Sequence, residues 1–360
     1  MKRRAFLQKS AAGIVVGATA AAPAILRASP RKLRWRLALA VPKTLPVWGE
    51  AMERFARSVE LMSEGRLKIK VFGAGELVPA FGTFDAVKSG ALQMASSASY
   101  YYQGKIPESP FFSSIPFGMN AEGMNAWLVA GGGQELWDEL MHPHGVTCLP
   151  CGKSGYQTTG WFNKEIKSVE DFKGLKIRIP GLAAKVYAKL GAIPVLLPGG
   201  EVFTSLSTGV IDAVEWVGPY HDYIMGFHKA AKYFYFGSWH EPGTNLELMI
   251  NKKAWDSLDE SLKLVIKTAA SDTDRWMLSK WSAKNAEYLQ KIKKEGKVQI
   301  KELPISVLKK LKECSDEILA ELANSSKMAK KIFESFKSFQ KNYEEYNDLS
   351  ERAYIKAFKL

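Results

Sequence analysis

One pattern occurs twice in this chain without a gap. Phe84-Asp85-Ala86-Val87-Lys88-Ser89-Gly90-Ala91-Leu92-Gln93-Met94-Ala95 aligns with Phe203-Thr204-Ser205-Leu206-Ser207-Thr208-Gly209-Val210-Ile211-Asp212-Ala213-Val214, and a Gly-Glu step precedes each copy, at Gly75-Glu76 and Gly200-Glu201. In both, apolar residues on helical spacing run into a glycine, and an apolar run follows at once. A glycine ends a helix by accepting left-handed backbone, so each copy reads as a helix stopped by glycine and passing directly into a strand. Two such units predict two similar α/β halves. The length agrees, because a chain well beyond about 250 residues is too long for one typical core.

The N-terminus predicts where the chain works. Lys2, Arg3 and Arg4 precede an uncharged run from Ser10 to Leu26, mostly Ala, Gly and Val, broken by Pro23 and followed by Arg27-Ala28-Ser29-Pro30. This reads as a secretory signal over residues 1–28, of twin-arginine type, cleaved between Ala22 and Ala28. The leader carries five basic residues and no acid, so its removal lowers the net charge from +13 to +8. Much of the remaining charge lies after Lys280 in segments such as KIKKEGK and VLKKLKE, where acids alternate with lysines on helical spacing. Such runs are solvated faces, and nucleic acid is not an expected partner. Beyond the leader no apolar stretch is long enough to span a bilayer. A soluble, exported, periplasmic protein is expected.

The coarse periodicity fills in the two halves. Residues 33–40 alternate as a strand, 48–62 have helical apolar spacing ended at Gly65, and 67–72 alternate again, so the chain opens β-α-β. Further strands are predicted from Val146 and over 175–179. From Ser257 onward the pattern is helical, with a break near Gly296 to Pro304. The fold expected is α/β and two-lobed, like a periplasmic binding protein, with a helical C-terminal layer. Lobe I spans 29–150 with parts of 242–280, lobe II spans 151–241, and the helical region spans 257–360.

Three cysteines are few for an exported chain. Cys148-Leu149-Pro150-Cys151 has CxxC spacing, which allows a disulfide or a redox pair. A thioredoxin-type motif opens a helix, whereas Cys148 lies in a predicted strand with Gly152 and Gly155 close behind. Cys314 reads as a small buried residue of a helix. The five histidines show no paired spacing for zinc.

The segment 157–241 concentrates the chemistry. GYQTTGWF, KIRIPG, VEWVGP and HEPG set one amide, one arginine and two carboxylates among tryptophans and glycines, with no nucleophile and base in recognisable spacing. Capture of a small anion beside a cation suits that mixture. Arg178, just before Pro180-Gly181, sits at the carboxyl end of its strand, where ligands bind in open α/β sheets. A guanidinium there grips a carboxylate through two parallel bonds; on a solvated face it would be an ordinary surface charge. Glu215 stands in the largely apolar run Ile211–Val217, where an unpaired carboxylate is costly unless it meets a cation or takes up a proton. Glu241 reads either as a ligand or as a turn residue. Tyr100, Tyr101 and Tyr102, at the end of the strand after Ala91, either cover a ligand from the opposite side or pack the lobes.

These residues also carry a resemblance. From Trp35 to about Trp276 the chain resembles the extracytoplasmic solute-binding proteins of tripartite ATP-independent periplasmic (TRAP) transporters, most closely the branch that binds 2-oxo monocarboxylates such as pyruvate. It rests on RIPGL at Arg178, LPGGE ending at Glu201, GVIDAVEWVGP ending at Pro219, KYFYF from Lys232, and HEPG. The resemblance implies a two-lobed fold closing on its ligand and transfer of the ligand to membrane subunits. It also implies that Arg178 binds the substrate carboxylate, and that Gln157, Glu215, the main-chain carbonyl of Trp216 and Glu241 hold a cation. Gln157 and the Trp216 ring would also line the substrate. Some relatives swap their helical tail with a partner, so a homodimer through the C-terminal helices is one expectation.

All those cation ligands are oxygen, so the ion is hard, sodium or calcium. Two glutamates and a substrate carboxylate against Arg178 leave −2, which Ca²⁺ neutralises and Na⁺ reduces to −1. Charge favours calcium and the resemblance favours sodium. The alternatives are an extracytoplasmic metal-dependent lyase acting on 2-oxoacids and a ligand sensor for a membrane kinase. A lyase needs a general base near the substrate, and Asp212, His221 and His240 show no such arrangement in sequence. No enzyme activity is expected. Pyruvate-like and lactate-like ligands differ too little for the sequence to rank them.

Overall fold

A computed structural model describes residues 32–358; the expected signal segment over residues 1–28, with its twin arginines and expected cleavage site, lies outside these residues. The strands are β1 (Leu33–Leu39), β2 (Leu67–Phe72), β3 (Met94–Ser97), β4 (Val146–Lys153), β5 (Gly160–Phe162), β6 (Lys176–Arg178), β7 (Ile193–Val195), β8 (Ala213–Val214), β9 (Tyr233–Phe236), β10 (Asn245–Asn251) and β11 (Gln299–Glu302). They form two mixed sheets, in the orders β2-β1-β3-β10-β4 and β11-β9-β5-β8-β6-β7. The first is the sheet of lobe I and the second that of lobe II. The alternation of the strands divides their side chains between two buried layers, so that Trp161 packs in one and Phe162 in the other.

The repeat maps onto equivalent places in the two sheets. Helix Thr83–Lys88 is followed by Gly90 at φ 81° and β3; helix Gly199–Ser207 is followed by Gly209 at φ 75° and β8. Each strand is interior to its sheet and runs parallel to a neighbour, β3 to β1 and β8 to β6. The carboxyl ends of these strands therefore carry corresponding loops. One bears Tyr100 and Tyr101, the other Glu215 and Trp216.

Two segments cross between the sheets side by side. Outbound from β4, Ser154 N–H donates to Thr244 O (3.1 Å) and Gln157 N–H to Glu241 O (3.3 Å), which tie the outbound segment to the return segment before β10. β10 then lies antiparallel between β3 and β4. A third connection is helix Glu260–Glu295, which packs on β4 at one end and on the lobe II helix Pro219–Ile224 at the other. Lys153, Asn245 and this helix meet at the crossing. The fully buried Lys153 Nζ donates to Asp274 Oδ1 (2.8 Å) and Asn245 Oδ1 (3.2 Å), and Gly152 N–H donates to Asp274 Oδ1 (3.0 Å). Breaking a buried pair strands the remaining charge, so Lys153→Met is expected to cost about 3–5 kcal/mol of stability. Chemical denaturation reads this directly; a loss below about 1 kcal/mol would show that the pair does not pin the crossing.

The helical tail differs from its sequence pattern at one place. The break after Gly296 contains β11, which extends the second sheet as the parallel neighbour of β9. Four residues alternating Gln-Ile-Lys-Glu are too short to outweigh the helical runs around them in sequence. Helix Ile305–Ala323 then packs on the lobe II helix Gly181–Lys189, and helix Lys327–Leu349 returns to the lobe I helices Ala121–Ala130 and Gly133–Met141. The cysteines are free and buried. Cys148 and Cys151, three apart on β4, belong to different buried layers, so the strand points them to opposite faces. Cys314 is buried in its helix.

Candidate functional site

The interlobe cleft collects the carboxyl ends of β1, β3, β6 and β8 together with both crossing segments. Its cavity, about 20 Å³, is lined by Trp48, Tyr100, Tyr101, Ser154, Gln157, Arg178, Trp216, Val217, His221, Leu246 and Trp281. The aromatic and aliphatic walls keep it small.

Arg178 ends β6 and is only 2% exposed. Its Nη1 donates to the main-chain O of Glu215 (2.8 Å) and to Glu215 Oε2 (3.2 Å), and the guanidinium lies 4.6 Å from the centre of the Trp216 ring. The buried Nε has no acceptor among the described residues. Such an arginine holds one carboxylate with part of its fork and keeps donor capacity for a second acceptor.

Gln157 and Glu241 face each other across the paired crossing segments. Gln157 Nε2 donates to Glu241 Oε2 (2.8 Å), Thr244 Oγ1 (3.0 Å) and Ser154 Oγ (3.2 Å). Glu241 Oε2 also accepts from Tyr100 OH (3.4 Å) and from the Thr244 hydroxyl. A carboxylate beside the amide requires its N–H side, which leaves Gln157 Oε1 buried without a donor, as is Glu215 Oε1. His240 Nε2 stands 3.3 Å from Glu215 Oε1 without the alignment of a hydrogen bond.

Electrostatically the site is short of positive charge. Burial pushes Glu215 up to about 8, with Arg178 opposing the shift, and burial followed by repulsion from Glu215 pushes Glu241 up to about 8. Burial likewise lowers His221 and His240 to about 4, so both rings are neutral. Among the described residues no three His, Cys, Asp or Glu side chains converge as a metal group. Two carboxylates, an amide oxygen without a donor and nearby carbonyls are the donor set of a hard cation completed by neutral oxygens and by the bound anion. The residues present fit such an ion.

The three tyrosines separate. They lie on the 3-10 helix Ser99–Tyr102, where three residues make a turn, so consecutive side chains point in different directions. Tyr100 reaches Glu241, and Tyr101 lines the cavity. Tyr102 turns away from the cleft, stacks on Phe84 and donates to the buried Glu247 (2.8 Å). It therefore acts in the lobe I core and lines no wall of the cavity.

Several groups in the site gave no signal of their own in sequence. Trp48, Leu246 and Trp281 arrive from separate elements as ordinary apolar residues. Asp222 accepts from the N–H groups of Val217 (3.1 Å) and Gly218 (2.9 Å) and from Trp161 Nε1 (2.8 Å), which holds the loop after Glu215 in place. Its position after the Gly-Pro step is the one clue to that role.

Residues 39–326 match the family profile described as bacterial extracellular solute-binding protein, family 7. The chain is 38% identical over 360 residues to a protein of Nostoc sp. named a monocarboxylate 2-oxoacid-binding periplasmic protein, covering 98% of each. It is 42% identical to a TRAP periplasmic solute binding protein from Colwellia psychrerythraea, solved with bound calcium and pyruvate. That superposition has a TM-score of 0.89 and covers 91% of this chain and 100% of the other. A second TRAP periplasmic solute binding protein, from Pseudoalteromonas atlantica with bound sodium and pyruvate, is also 42% identical. Its TM-score is 0.88, with 91% and 99% covered.

Proposed function

From a chain that belongs to family 7 of the bacterial extracellular solute-binding proteins, and so to the solute-binding subunits of TRAP transporters, we propose capture of a small 2-oxo or 2-hydroxy monocarboxylate together with one hard cation. The observation that carries this reading is Arg178, buried at the carboxyl end of β6 beside two buried glutamates and with Nε unpaired. The ligands named for the two structures, pyruvate with calcium or sodium, have the matching chemistry.

In this reading Arg178 binds the substrate carboxylate, while Gln157, Glu215, the main-chain carbonyl of Trp216 and Glu241 hold Na⁺ or Ca²⁺. The cation supplies positive charge that offsets Glu215 and Glu241 and draws the anion in. Tyr100 and Tyr101 close the site from lobe I, and the Trp216 ring stacks against Arg178. The apolar wall of Trp48, Leu246 and Trp281 receives the ligand's carbon end, which limits it to a short chain.

Binding without turnover is part of the proposal. Both ring nitrogens of His221 are engaged by main chain and indole, so it is not a base free to reach a substrate. The working place is the periplasm, reached through the signal over residues 1–28; no helix among the described residues is long and apolar enough to cross a membrane. The proposed organisation assigns lobe I to 29–150 with parts of 242–280, lobe II to 151–241 and the helical region to 257–360. The membrane subunits of the transporter receive the ligand. The exposed Leu349, Tyr354, Ile355 and Phe358 at the end of the helical tail are the surface for a homodimer, whose mass sedimentation equilibrium would read.

A ligand that binds only the folded state raises the melting temperature, and the rise keeps growing with ligand concentration. Pyruvate, 2-oxobutyrate and lactate are therefore expected to raise it in a concentration-dependent way in buffer containing sodium and calcium, and succinate to raise it less. A response to sugars or amino acids and none to these acids would overturn the reading.

A further inference from the structure

A strained turn and a buried histidine meet on the edge of the cleft. Val47, fully buried, has φ 64° and ψ −60°, and Trp48 N–H donates to Pro46 O (2.7 Å) across it. This is the γ-turn of the strained hand, which is rare for any residue and costly for a β-branched one. It starts helix Trp48–Met62 and sets the Trp48 ring in the cleft, where Nε1 donates to Ser96 Oγ (2.9 Å).

The same Pro46 carbonyl is held from the other lobe. His221, on the lobe II helix Pro219–Ile224, places Nε2 2.7 Å from Pro46 O, and its Nδ1 accepts from Trp216 Nε1 (3.2 Å). A carbonyl can only accept and an indole N–H can only donate, so the tautomer is determined: the proton is on Nε2. One neutral ring thus links the strained turn of lobe I to the indole that lies over Arg178. His221 has no exposed surface, and its ring packs edge-on against Trp281 of the long helix. Backbone strain persists only where its surroundings hold it, and here the holding group belongs to the opposite lobe.

We propose that His221 is the latch of this cleft, a positioning residue that couples closure of the lobes to the seating of Trp216 over Arg178, with the γ-turn at Val47 as the strained element it holds closed. This rests on the reading above that the cleft closes on its ligand. Opening the lobes breaks the bond to Pro46 and lets the turn relax, so the latch sets how fast ligand leaves.

Two variants separate a latch from mere packing. His221→Phe keeps a planar aromatic ring, somewhat larger than imidazole, and removes both bonds; it is expected to release pyruvate about tenfold faster by stopped-flow chase in sodium- and calcium-containing buffer. Val47→Gly accepts positive φ without strain but loses a buried side chain, so it is expected to melt lower and yet release pyruvate more slowly than wild type. Packing damage alone would move release and melting together in both. Spin labels on the exposed positions Lys70→Cys in lobe I and Lys185→Cys in lobe II read closure by pulsed electron resonance with and without pyruvate. His221→Phe should shift these distances toward the open form. A His221→Phe protein with wild-type distances overturns the latch whether or not pyruvate binds; failure of wild type to bind pyruvate overturns only the ligand reading. Faster release from Val47→Gly would remove the strained turn from the device.

Discussion

Replacing Arg178 by lysine is expected to weaken anion binding at least about thirtyfold, and replacement by alanine more. Removing one partner of a buried, hydrogen-bonded charge pair costs roughly 2–5 kcal/mol, which sets that lower bound. A lysine keeps the charge but presents no planar fork, so it cannot hold Glu215 with one nitrogen and a substrate carboxylate with the others. It also loses the flat face that stacks 4.6 Å from the Trp216 ring. A solvated arginine would give under about 1 kcal/mol. Isothermal titration with pyruvate, on variants first shown folded by their melting curves, distinguishes the two cases. Retention of affinity within about threefold by Arg178→Ala would remove the carboxylate anchor and with it the proposed function.

Glu215→Gln is expected to abolish cation retention and to weaken pyruvate binding by a comparable factor, because one carboxylate supports both. Glu241→Gln acts in the same direction. The pH dependence carries a further sign. Burial raises both glutamates to about 8 in the folded protein without a cation, against an ordinary value near 4.5. Between these values the folded state holds more protons on these two groups than the unfolded one, so their contribution to the stability of the cation-free protein is full below about 4.5 and is lost as pH rises through 8. A cation must displace those protons, so its affinity rises over the same interval. Melting curves from pH 5 to 9, with chelator and with added calcium or sodium, are expected to diverge as pH increases, and Glu215→Gln is expected to narrow the gap. Curves that stay parallel would show that the cation does not sit on these carboxylates, as would undiminished pyruvate binding by metal-free protein.

The residues that could be read from sequence are those whose setting is local. Arg178 precedes Pro180-Gly181 and so had to end its strand, and Glu215 stood in an apolar run that had to bury it. Glycine and helical spacing marked the ends of the two repeated units, and Gly90 and Gly209 both take positive φ. Tyr102 shows where local reasoning stops. Three adjacent tyrosines look equivalent in a line of letters, but a 3-10 turn sends the third to Glu247, a residue of β10.

The sequence by itself determined the two α/β units, the opening strand-helix-strand, strands β4 and β6, the helical tail, and residue types suited to an anion and a cation, because backbone geometry and burial of a charge depend on near neighbours along the chain. Only the tertiary structure decided which of them meet. Gln157 faces Glu241 because the two crossing segments pair, Pro46 meets His221 because the lobes approach, and Trp281 reaches the cleft because one long helix packs on both lobes. The four residues of β11 pair with β9 because the second sheet offers an edge there. Such contacts form between groups far apart in sequence, and their free energy comes from the burial and pairing of the assembled sheets, which no local pattern encodes.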